Sequence, residues 1–358
     1  MSTLSQNLPS GTRAIAPGGD PFGTHRAVEP KGALPQPAKR VDNDMSRLFE
    51  GEILLAVETL NVDAASFVQM EEKGGSEGAV AEIVLDTVAA RGKQHNPVTG
   101  SGGMLLGRVV QLAPGRPEGE RLEVGDRVAT LVSLSLTPLR IDRVKGVRRA
   151  SAQLDIDGEA ILFATGAYAK LPNDLPERLA LAVLDVAGAA PQVARLVKKG
   201  SMIVVLGAGG KSGILCCAEA KRCGAAVVVG VESFPKAAEE LRALGVCDAV
   251  VSADARDPVA IRRAVLEASK GREADVTFSC VNVTDSEMAA ILVTRDRGTV
   301  YFFAMSTSFT KAALGAEGVG KDVDLIIGNG YAHGHADHTL AMMRTMPDVR
   351  ALFEARYG

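Results

Sequence analysis

The sequence predicts an α/β protein of two domains, in which a β-rich domain precedes a doubly wound parallel sheet. The chain has 358 residues, which is more than a single hydrophobic core usually holds. Strand-like runs and dense glycine and proline fill the first half, whereas strands and helices alternate after Pro172. A glycine-rich turn follows an early strand of the second half. These observations together favour a β domain followed by a nucleotide-binding type of fold.

The individual elements follow from local patterns. We predict a flexible leader over residues 1–20, which mixes Ser, Pro, Gly and Thr, a first domain over 21–172 and a second over 173–358. The predicted strands are Glu52–Val62, Met104–Leu112, Arg127–Val132, Ser201–Leu206, Ala226–Val231, Ala249–Val251, Asp275–Ser279, Thr299–Phe303 and Asp324–Ile327. The predicted helices are Ser212–Cys223, Pro235–Leu244, Pro258–Lys270 and Asp285–Arg295. The first domain is therefore expected to be mainly β.

Composition excludes several classes of partner. The 40 basic and 43 acidic residues give a net charge of −3, so no global field favours nucleic acid or an anionic membrane. The longest apolar runs fall well short of the roughly 18 residues of a membrane span, and the leader lacks the apolar core of a signal peptide. The five cysteines have no disulfide-like spacing. We expect a cytoplasmic protein with a small-molecule substrate.

The segment from Met202 to Glu232 predicts a dinucleotide site. It runs from an apolar strand through a glycine turn into a helix and then into a second strand that ends in an acid. Gly207 permits the tight turn, Gly210 lets the backbone approach a pyrophosphate, and Gly213 lets the helix pack closely. The predicted cofactor-binding residues are Gly207, Ala208, Gly209, Gly210, Lys211, Ser212, Gly213, Glu232 and Ser233.

The acid at the end of the second strand favours NAD over NADP. Glu232 follows Gly213 by 19 residues, where a carboxylate accepts hydrogen bonds from ribose hydroxyls and repels a 2′-phosphate. Ser233 and Lys236 leave NADP open. A nucleoside triphosphatase is the alternative, because Gly210-Lys211-Ser212 resembles the end of a P-loop. However, Val205 stands where that motif requires its first glycine.

Further segments carry a resemblance to a known family. They are GTHRAVEPKGALPQPAKRVDN at 23–43, TLNVDAASF at 59–67, RGKQHNPVTGSGGMLLGRV at 91–109, VLGAGGKSG at 205–213 and IIGNGYAHGHADHTL at 326–340. The chain resembles the medium-chain dehydrogenase/reductase superfamily and, within it, the L-erythro-3,5-diaminohexanoate dehydrogenases of lysine fermentation. The resemblance implies a GroES-like first domain, a Rossmann second domain and an active site in the cleft between them.

The resemblance also implies an activity and an assembly. The implied reaction is oxidative deamination of the 3,5-diamino acid to 5-amino-3-oxohexanoate with reduction of NAD(P). A homodimer or tetramer joined at Asp324–Ile327 is implied as well. Zinc-dependent relatives carry a Gly-His-Glu run where this chain has Gly100-Ser101-Gly102, and their four-cysteine lobe is missing. We therefore expect no catalytic metal.

Candidate catalytic residues must move protons, because the substrate amine loses one before oxidation. Asp63 follows the strand Glu52–Val62 and is the first candidate base, although it is equally suited to cap a helix that begins at Ala64. Ser66 lies close by. His95 precedes a loop expected to face the cofactor, and it could instead be a surface histidine.

Candidate substrate-binding residues are Arg26 for the carboxylate, Glu29 for an ammonium, and Asn61. Arg26 and Glu29 could also be ordinary surface residues. His335 is a further catalytic candidate in a tail that holds His333 and His338, where the alternatives are a metal site or a simple helix start.

Two other functions remain open from the sequence. One is a zinc-independent quinone or enone reductase of the same superfamily, and the other is a nucleotide-binding protein without turnover.

Overall fold

The structure, a computed structural model, describes residues 11–62, 64–74, 77–96, 102–116, 122–304 and 306–357. The chain divides into two compact units, residues 1–172 and 173–358. Each unit has its own sheet and its own core, and the fold class predicted from the sequence is confirmed.

The described strands of the first unit are β1 Ala14–Ala16, β2 Ala27–Glu29, β3 Arg40–Val41, β4 Arg47–Phe49, β5 Ile53–Asn61, β6 Met104–Leu112, β7 Arg127–Thr130, β8 Leu139–Arg148, β9 Gln153–Leu162 and β10 Tyr168–Lys170. Strands β5 to β10 form an antiparallel sheet in the order β10-β7-β6-β5-β9-β8. Two helices, α1 Ala64–Gly74 and α2 Glu77–Arg91, follow β5.

The sequence prediction made the first domain mainly β: α2 was missing from it, and α1 entered only as the helix that Asp63 could cap. The apolar face of α2 carries Val80, Val84 and Val88, spaced four residues apart, and these side chains belong to the same buried core as residues of the sheet. Valine favours strands in isolation, so burial of this face against the sheet decides the conformation. A helix that begins at Ala64 is observed, whereas both roles considered for Asp63 stay predictions because Asp63 lies outside the described residues.

The expected flexible leader over residues 1–20 is wrong for its second half. β1 pairs in parallel with β4. Arg13 donates to Glu159 Oε1 at 2.8 Å, and its backbone N–H donates to Gln111 Oε1 at 2.7 Å. Because Glu159 is almost fully buried, the ion pair gives this segment a specific place on the sheet. Residues 1–10 lie outside the described part of the chain.

The second unit has a parallel sheet whose order, over its described strands, is β13-β12-β11-β14-β15-β16. The strands are β11 Met202–Leu206, β12 Val227–Val231, β13 Ala249–Val251, β14 Ala274–Ser279, β15 Thr294–Phe302 and β16 Asp324–Ile327. The helices are α3 Glu177–Leu184, α4 Ala189–Leu196, α5 Lys211–Arg222, α6 Pro235–Leu244, α7 Pro258–Ala268, α8 Glu287–Val293, α9 Phe309–Gly318, α10 His335–Thr345 and α11 Pro347–Tyr357.

The carboxyl end of β11 lies at the point of the sheet where the strand order changes direction. This strand is buried along its whole length and lies between β12 and β14. The sequence order of the strands reverses here, and crevices that bind ligands open at such switch points. The glycine turn starts directly after Leu206.

Within the described residues, no single helix is long and apolar enough to cross a membrane. Helices α3 and α4, which meet at an angle of 50°, are together long and apolar enough for a membrane span, by length and composition only. Both helices contribute residues to the buried core.

Candidate functional site

The glycine turn after β11 has the geometry that its sequence predicts. Gly207 has a φ of 71°, and a Cβ there would lie 2.9 Å from the backbone nitrogen of Val281. A Cβ on Gly213 would lie 2.2 Å from the carbonyl oxygen of Gly207. Both distances are too short for a side chain, so these glycines let α5 start close against the strand end.

The position between them is open. A Cβ on Gly210 would meet only the carbonyl oxygen of Gly207, at 3.5 Å. Gly210 is the N-cap of α5, and no side chain caps this helix start. The backbone N–H groups of a helix start and the positive end of its dipole attract an anion. This part of the structure therefore fits a dinucleotide pyrophosphate.

Glu232 follows the last residue of β12 and contacts the glycine turn. Its Oε2 accepts a hydrogen bond from the N–H of Gly209 at 2.9 Å, and its Oε1 accepts one from the N–H of Phe234 at 3.0 Å. The side chain is nearly buried, whereas Ser233 beside it is exposed. The carboxylate thus orients the turn, a contact that sequence reasoning missed because it joins residues 23 positions apart.

Lys211, the first residue of α5, has two contacts of its own. Its Nζ lies 2.9 Å from Asp185 Oδ2 and 5.1 Å from the centre of the Tyr357 ring. The Lys211 ammonium therefore forms an ion pair with Asp185 and a cation–π contact with Tyr357 beside the turn.

The first unit brings Ser66 and Asn96 together. Asn96 Nδ2 donates to Ser66 Oγ at 2.6 Å and to Gln69 Oε1 at 3.1 Å, and both Ser66 and Asn96 are buried. The contact ties the start of α1 to the segment that follows α2. Sequence reasoning named Ser66 but missed Asn96.

His95 is adjacent to this contact. Its Nδ1 is buried and has no hydrogen-bond partner within the described residues. Burial, together with the charges of Lys93 and Arg91, lowers the pKa of the His95 imidazole below its ordinary value. The ring is therefore neutral at pH 7, and one of its nitrogens can accept a proton.

Lys93 is a buried cation that sequence reasoning missed. Its Nζ donates to the carbonyl oxygens of Pro35 at 2.6 Å and Gln36 at 2.9 Å. Burial and the charge of Arg91 lower the pKa of Lys93 to about 8. A lysine in a polar run normally indicates a surface position, so the sequence holds no signal for this burial.

Asn61 and Glu29, two further candidates of the first unit, have different partners. Asn61 ends β5, and its Oδ1 accepts a hydrogen bond from Gln153 Nε2 at 3.0 Å. Glu29 is exposed and pairs with Lys39 at 3.0 Å. Asp63, the first candidate base, lies outside the described residues.

Arg26 requires a correction. It is fully buried, and Nε and Nη2 donate to the two oxygens of Glu52 at 2.8 Å each. Nη1 and Nη2 also donate to the carbonyl oxygens of Asp44 and Arg47. Because the guanidinium has no accessible donor, it cannot receive a substrate carboxylate in this arrangement, and its contacts are structural.

The three histidines near the C-terminal end, His333, His335 and His338, have different surroundings. His335, at the start of α10, is buried, and its ring lies 5.1 Å from that of Tyr331. Burial lowers the pKa of His335 despite its hydrogen bond with Ala332 and the charge of Asp337. His338 Nε2 contacts Glu219 Oε1 at 3.1 Å, and His333 is exposed.

Two family models match the chain. Residues 25–172 match the L-erythro-3,5-diaminohexanoate dehydrogenase N-terminal domain, and residues 212–320 match zinc-binding dehydrogenase. L-erythro-3,5-diaminohexanoate dehydrogenase of Acetoanaerobium sticklandii is 52% identical over 339 residues, which cover 94% of this chain and 98% of the relative. The enzyme of the same name from Fusobacterium nucleatum subsp. nucleatum is 50% identical with the same coverage. The chain belongs to the L-erythro-3,5-diaminohexanoate dehydrogenase family.

Solved structures agree with this family in fold. An alcohol dehydrogenase from Thermotoga maritima superposes with a TM-score of 0.54 at 14% identity, covering 86% of this chain and 85% of its own. The Escherichia coli quinone oxidoreductase complexed with NADPH superposes with a TM-score of 0.50 at 16% identity, covering 84% and 80%. Identities this low show a shared fold only.

The match to zinc-binding dehydrogenases raises the question of a metal in this L-erythro-3,5-diaminohexanoate dehydrogenase family member. In the part of the chain that is described, no group of three or more His, Cys, Asp or Glu side chains is placed to hold a metal ion. The described residues do not fit a zinc site, and the proposed mechanism contains no step through one.

Proposed function

We propose that this dehydrogenase oxidatively deaminates L-erythro-3,5-diaminohexanoate to 5-amino-3-oxohexanoate and ammonia, with NAD as the preferred oxidant, as a step of lysine fermentation. The observation that carries this proposal is the 52% identity to a dehydrogenase of that name, which extends over both units of the chain. The open helix start at Gly210, which fits an anion, supports binding of the dinucleotide that this reaction requires.

The chemistry sets what the protein must provide. When bound, a nicotinamide cofactor would supply the oxidant that accepts the hydride from carbon 3 of the substrate. Carbon 3 releases it only when its amine is neutral, and deprotonating an alkylammonium of pKa near 10.4 costs about 4.6 kcal/mol at pH 7. Water then adds to the iminium, and ammonia leaves. A proton acceptor close to the amine is therefore required.

His95 supports this role best among the described candidates. Its ring is neutral at pH 7 because its pKa is lowered by burial and by neighbouring cations, and its Nδ1 has no partner among the described atoms. We assign it proton transfer, with Asp63 as the alternative base. Ser66 and Asn61 are proposed to orient the substrate, Glu29 to attract an ammonium, and His335 to assist proton transfer.

NAD preference is proposed from Glu232. Its carboxylate lies at the turn and is held by two backbone N–H groups, where it accepts bonds from ribose hydroxyls and repels a 2′-phosphate. Glu232→Ser should lower the preference for NAD over NADP, measured as the ratio of kcat/KM values, by about tenfold or more. An unchanged ratio contradicts the assignment.

A homodimer is proposed through β16. This strand forms an edge of the six-stranded sheet in the described residues, and Ile327 on it is 63% exposed. An unpaired strand edge is a template for a second copy. Ile327→Lys should convert the dimer to a monomer in light scattering, and a monomeric parent protein contradicts the proposal.

The activity test compares substrates and variants in one NADH absorbance assay. L-erythro-3,5-diaminohexanoate should give NADH, whereas lysine, ornithine and simple enones should not. His95→Gln should reduce kcat strongly, and His333→Gln, which changes an exposed histidine, should not. Strong enone reduction without diamine oxidation overturns the proposal in favour of an enone reductase. Cofactor binding without turnover of either substrate favours a nucleotide-binding protein.

A further inference from the structure

The end of α11 contacts the dinucleotide turn at the two residues that flank the open Gly210. Arg356 Nη1 donates to the carbonyl oxygen of Gly209 at 2.6 Å. The ring of Tyr357, the next residue, lies 5.1 Å from Lys211 Nζ. A helix more than a hundred residues away in the chain thus reaches both sides of the anion site.

Arg356 is itself held in place. Its Nε donates to Glu240 Oε2 at 2.9 Å, and its Nη2 contacts the same carboxylate. Glu240 lies on α6, the helix that follows Glu232. The guanidinium is therefore a bridge between the glycine turn and the next helix, and only 17% of its side chain is exposed. A fixed donor of this kind is strong because the donor is charged and its geometry is defined.

The peptide groups on both sides of Gly209 are consequently fixed from two directions. The N–H of Gly209 donates to Glu232, and its carbonyl oxygen accepts from Arg356. A glycine in a turn has wide conformational freedom, so without these contacts the turn adopts many conformations that do not present the N–H groups of α5 to an anion. If these two contacts are lost, the turn becomes ordered only when a ligand binds, and the lost conformational entropy weakens binding.

We propose that Arg356 is a positioning residue for the dinucleotide: it holds the turn around Gly210 in its binding conformation through the Gly209 carbonyl, and Tyr357 assists by holding Lys211. The inference rests on the dinucleotide site of the proposed function. It requires no contact between Arg356 and the cofactor itself, so its effect appears in cofactor affinity and not in the chemical step.

The test is direct binding of NADH to the full chain, followed by fluorescence, together with steady-state kinetics. Arg356→Ala should raise the Kd of NADH and the KM of NAD by about tenfold, the loss typical of one charge-assisted hydrogen bond. The kcat at saturating NAD should stay unchanged. Arg356→Lys, which keeps one charged donor, should recover part of the affinity, and Tyr357→Phe should bind as the parent protein does.

Arg350→Ala is the matched control. Arg350 lies on the same helix, six residues before Arg356, and forms a half-buried pair with Glu354 at 2.8 Å. It should leave the Kd of NADH unchanged even where it lowers the melting temperature. If Arg356→Ala does not fold, the Arg356→Lys variant carries the same comparison with a smaller expected change.

The outcomes separate this inference from the proposed reaction. An unchanged Kd in Arg356→Ala, or a loss of kcat at constant KM, overturns the positioning role. If the parent protein binds NADH but does not oxidise the diamino acid, the proposed reaction fails while the Kd comparison still decides the role of Arg356. If the parent protein binds neither NADH nor NADPH, both are overturned.

Discussion

Gly213 and Gly210 provide a pair of substitutions that separates packing from cofactor binding. A methyl group on Gly213 lies 2.2 Å from the carbonyl oxygen of Gly207 and 2.6 Å from Cα of Ala208. Both neighbours are backbone, so α5 must move away from the turn by about 1 Å to reach an ordinary contact distance. Overpacking of this kind costs about 1–3 kcal/mol, and the displaced helix start loses its alignment with the turn. Gly213→Ala should therefore lose both stability and cofactor affinity.

Gly210→Ala should lose cofactor affinity with little loss of stability. Its methyl group meets only the Gly207 carbonyl oxygen at 3.5 Å, and its φ of −78° suits alanine. Stability should fall by only about 0.5–1 kcal/mol, because alanine is a poorer N-cap than glycine, whereas the Kd of NADH should rise because the methyl group would occupy the space proposed for the pyrophosphate. Thermal unfolding and NADH fluorescence measure the two quantities. If Gly210→Ala binds NADH normally, the anion does not bind at this turn, and the dinucleotide assignment fails.

Three further predictions follow from the first unit and from the chemistry. Arg26→Ala should destabilise the first unit by about 3–5 kcal/mol in urea, because it removes the guanidinium that pairs with both oxygens of the buried Glu52; an unchanged unfolding midpoint contradicts the structural role. The pKa of His95 is lowered in the folded state, so the unfolded chain binds more protons just below pH 6.5, and stability should fall as the pH drops through 6.5. His95→Gln should remove this part of the pH dependence of the melting temperature, and a curve that matches the parent protein contradicts the shift. Turnover should survive dialysis against EDTA, and activity restored only by zinc would show that the metal prediction is wrong.

The parts of the fold that the sequence predicts are those with local causes. The strand ends of Met104–Leu112 and Asp324–Ile327 and the helix Pro235–Leu244 agree with the structure to the residue, because their patterns lie within one segment. α2 was missed because its valines favour strands, and only the sheet beneath it makes the helix stable. The glycine turn was found because close backbone approach permits one residue type.

The charged residues of the first unit show why the site was harder to predict than the fold. Arg26 and Lys93 lie in polar runs that indicate surface positions, yet both are fully buried. Arg26 finds Glu52 at a separation of 26 residues, and Lys93 finds Pro35 at 58. Burying a charge is costly without such partners, and a sequence does not state which distant groups satisfy it. Roles for isolated charged residues therefore require the three-dimensional contacts.

The ribose contact proposed for Glu232 is compatible with its observed contact to the glycine turn. An ionised carboxylate accepts about four hydrogen bonds, and two of these positions are taken by the N–H groups of Gly209 and Phe234. The remaining positions can receive the two ribose hydroxyls without release of the turn. A 2′-phosphate replaces a donor by a second anion, and like charges about 4 Å apart repel by about 4 kcal/mol at an effective dielectric constant near 20. The proposed preference for NAD therefore depends on the same carboxylate that accepts the Gly209 N–H.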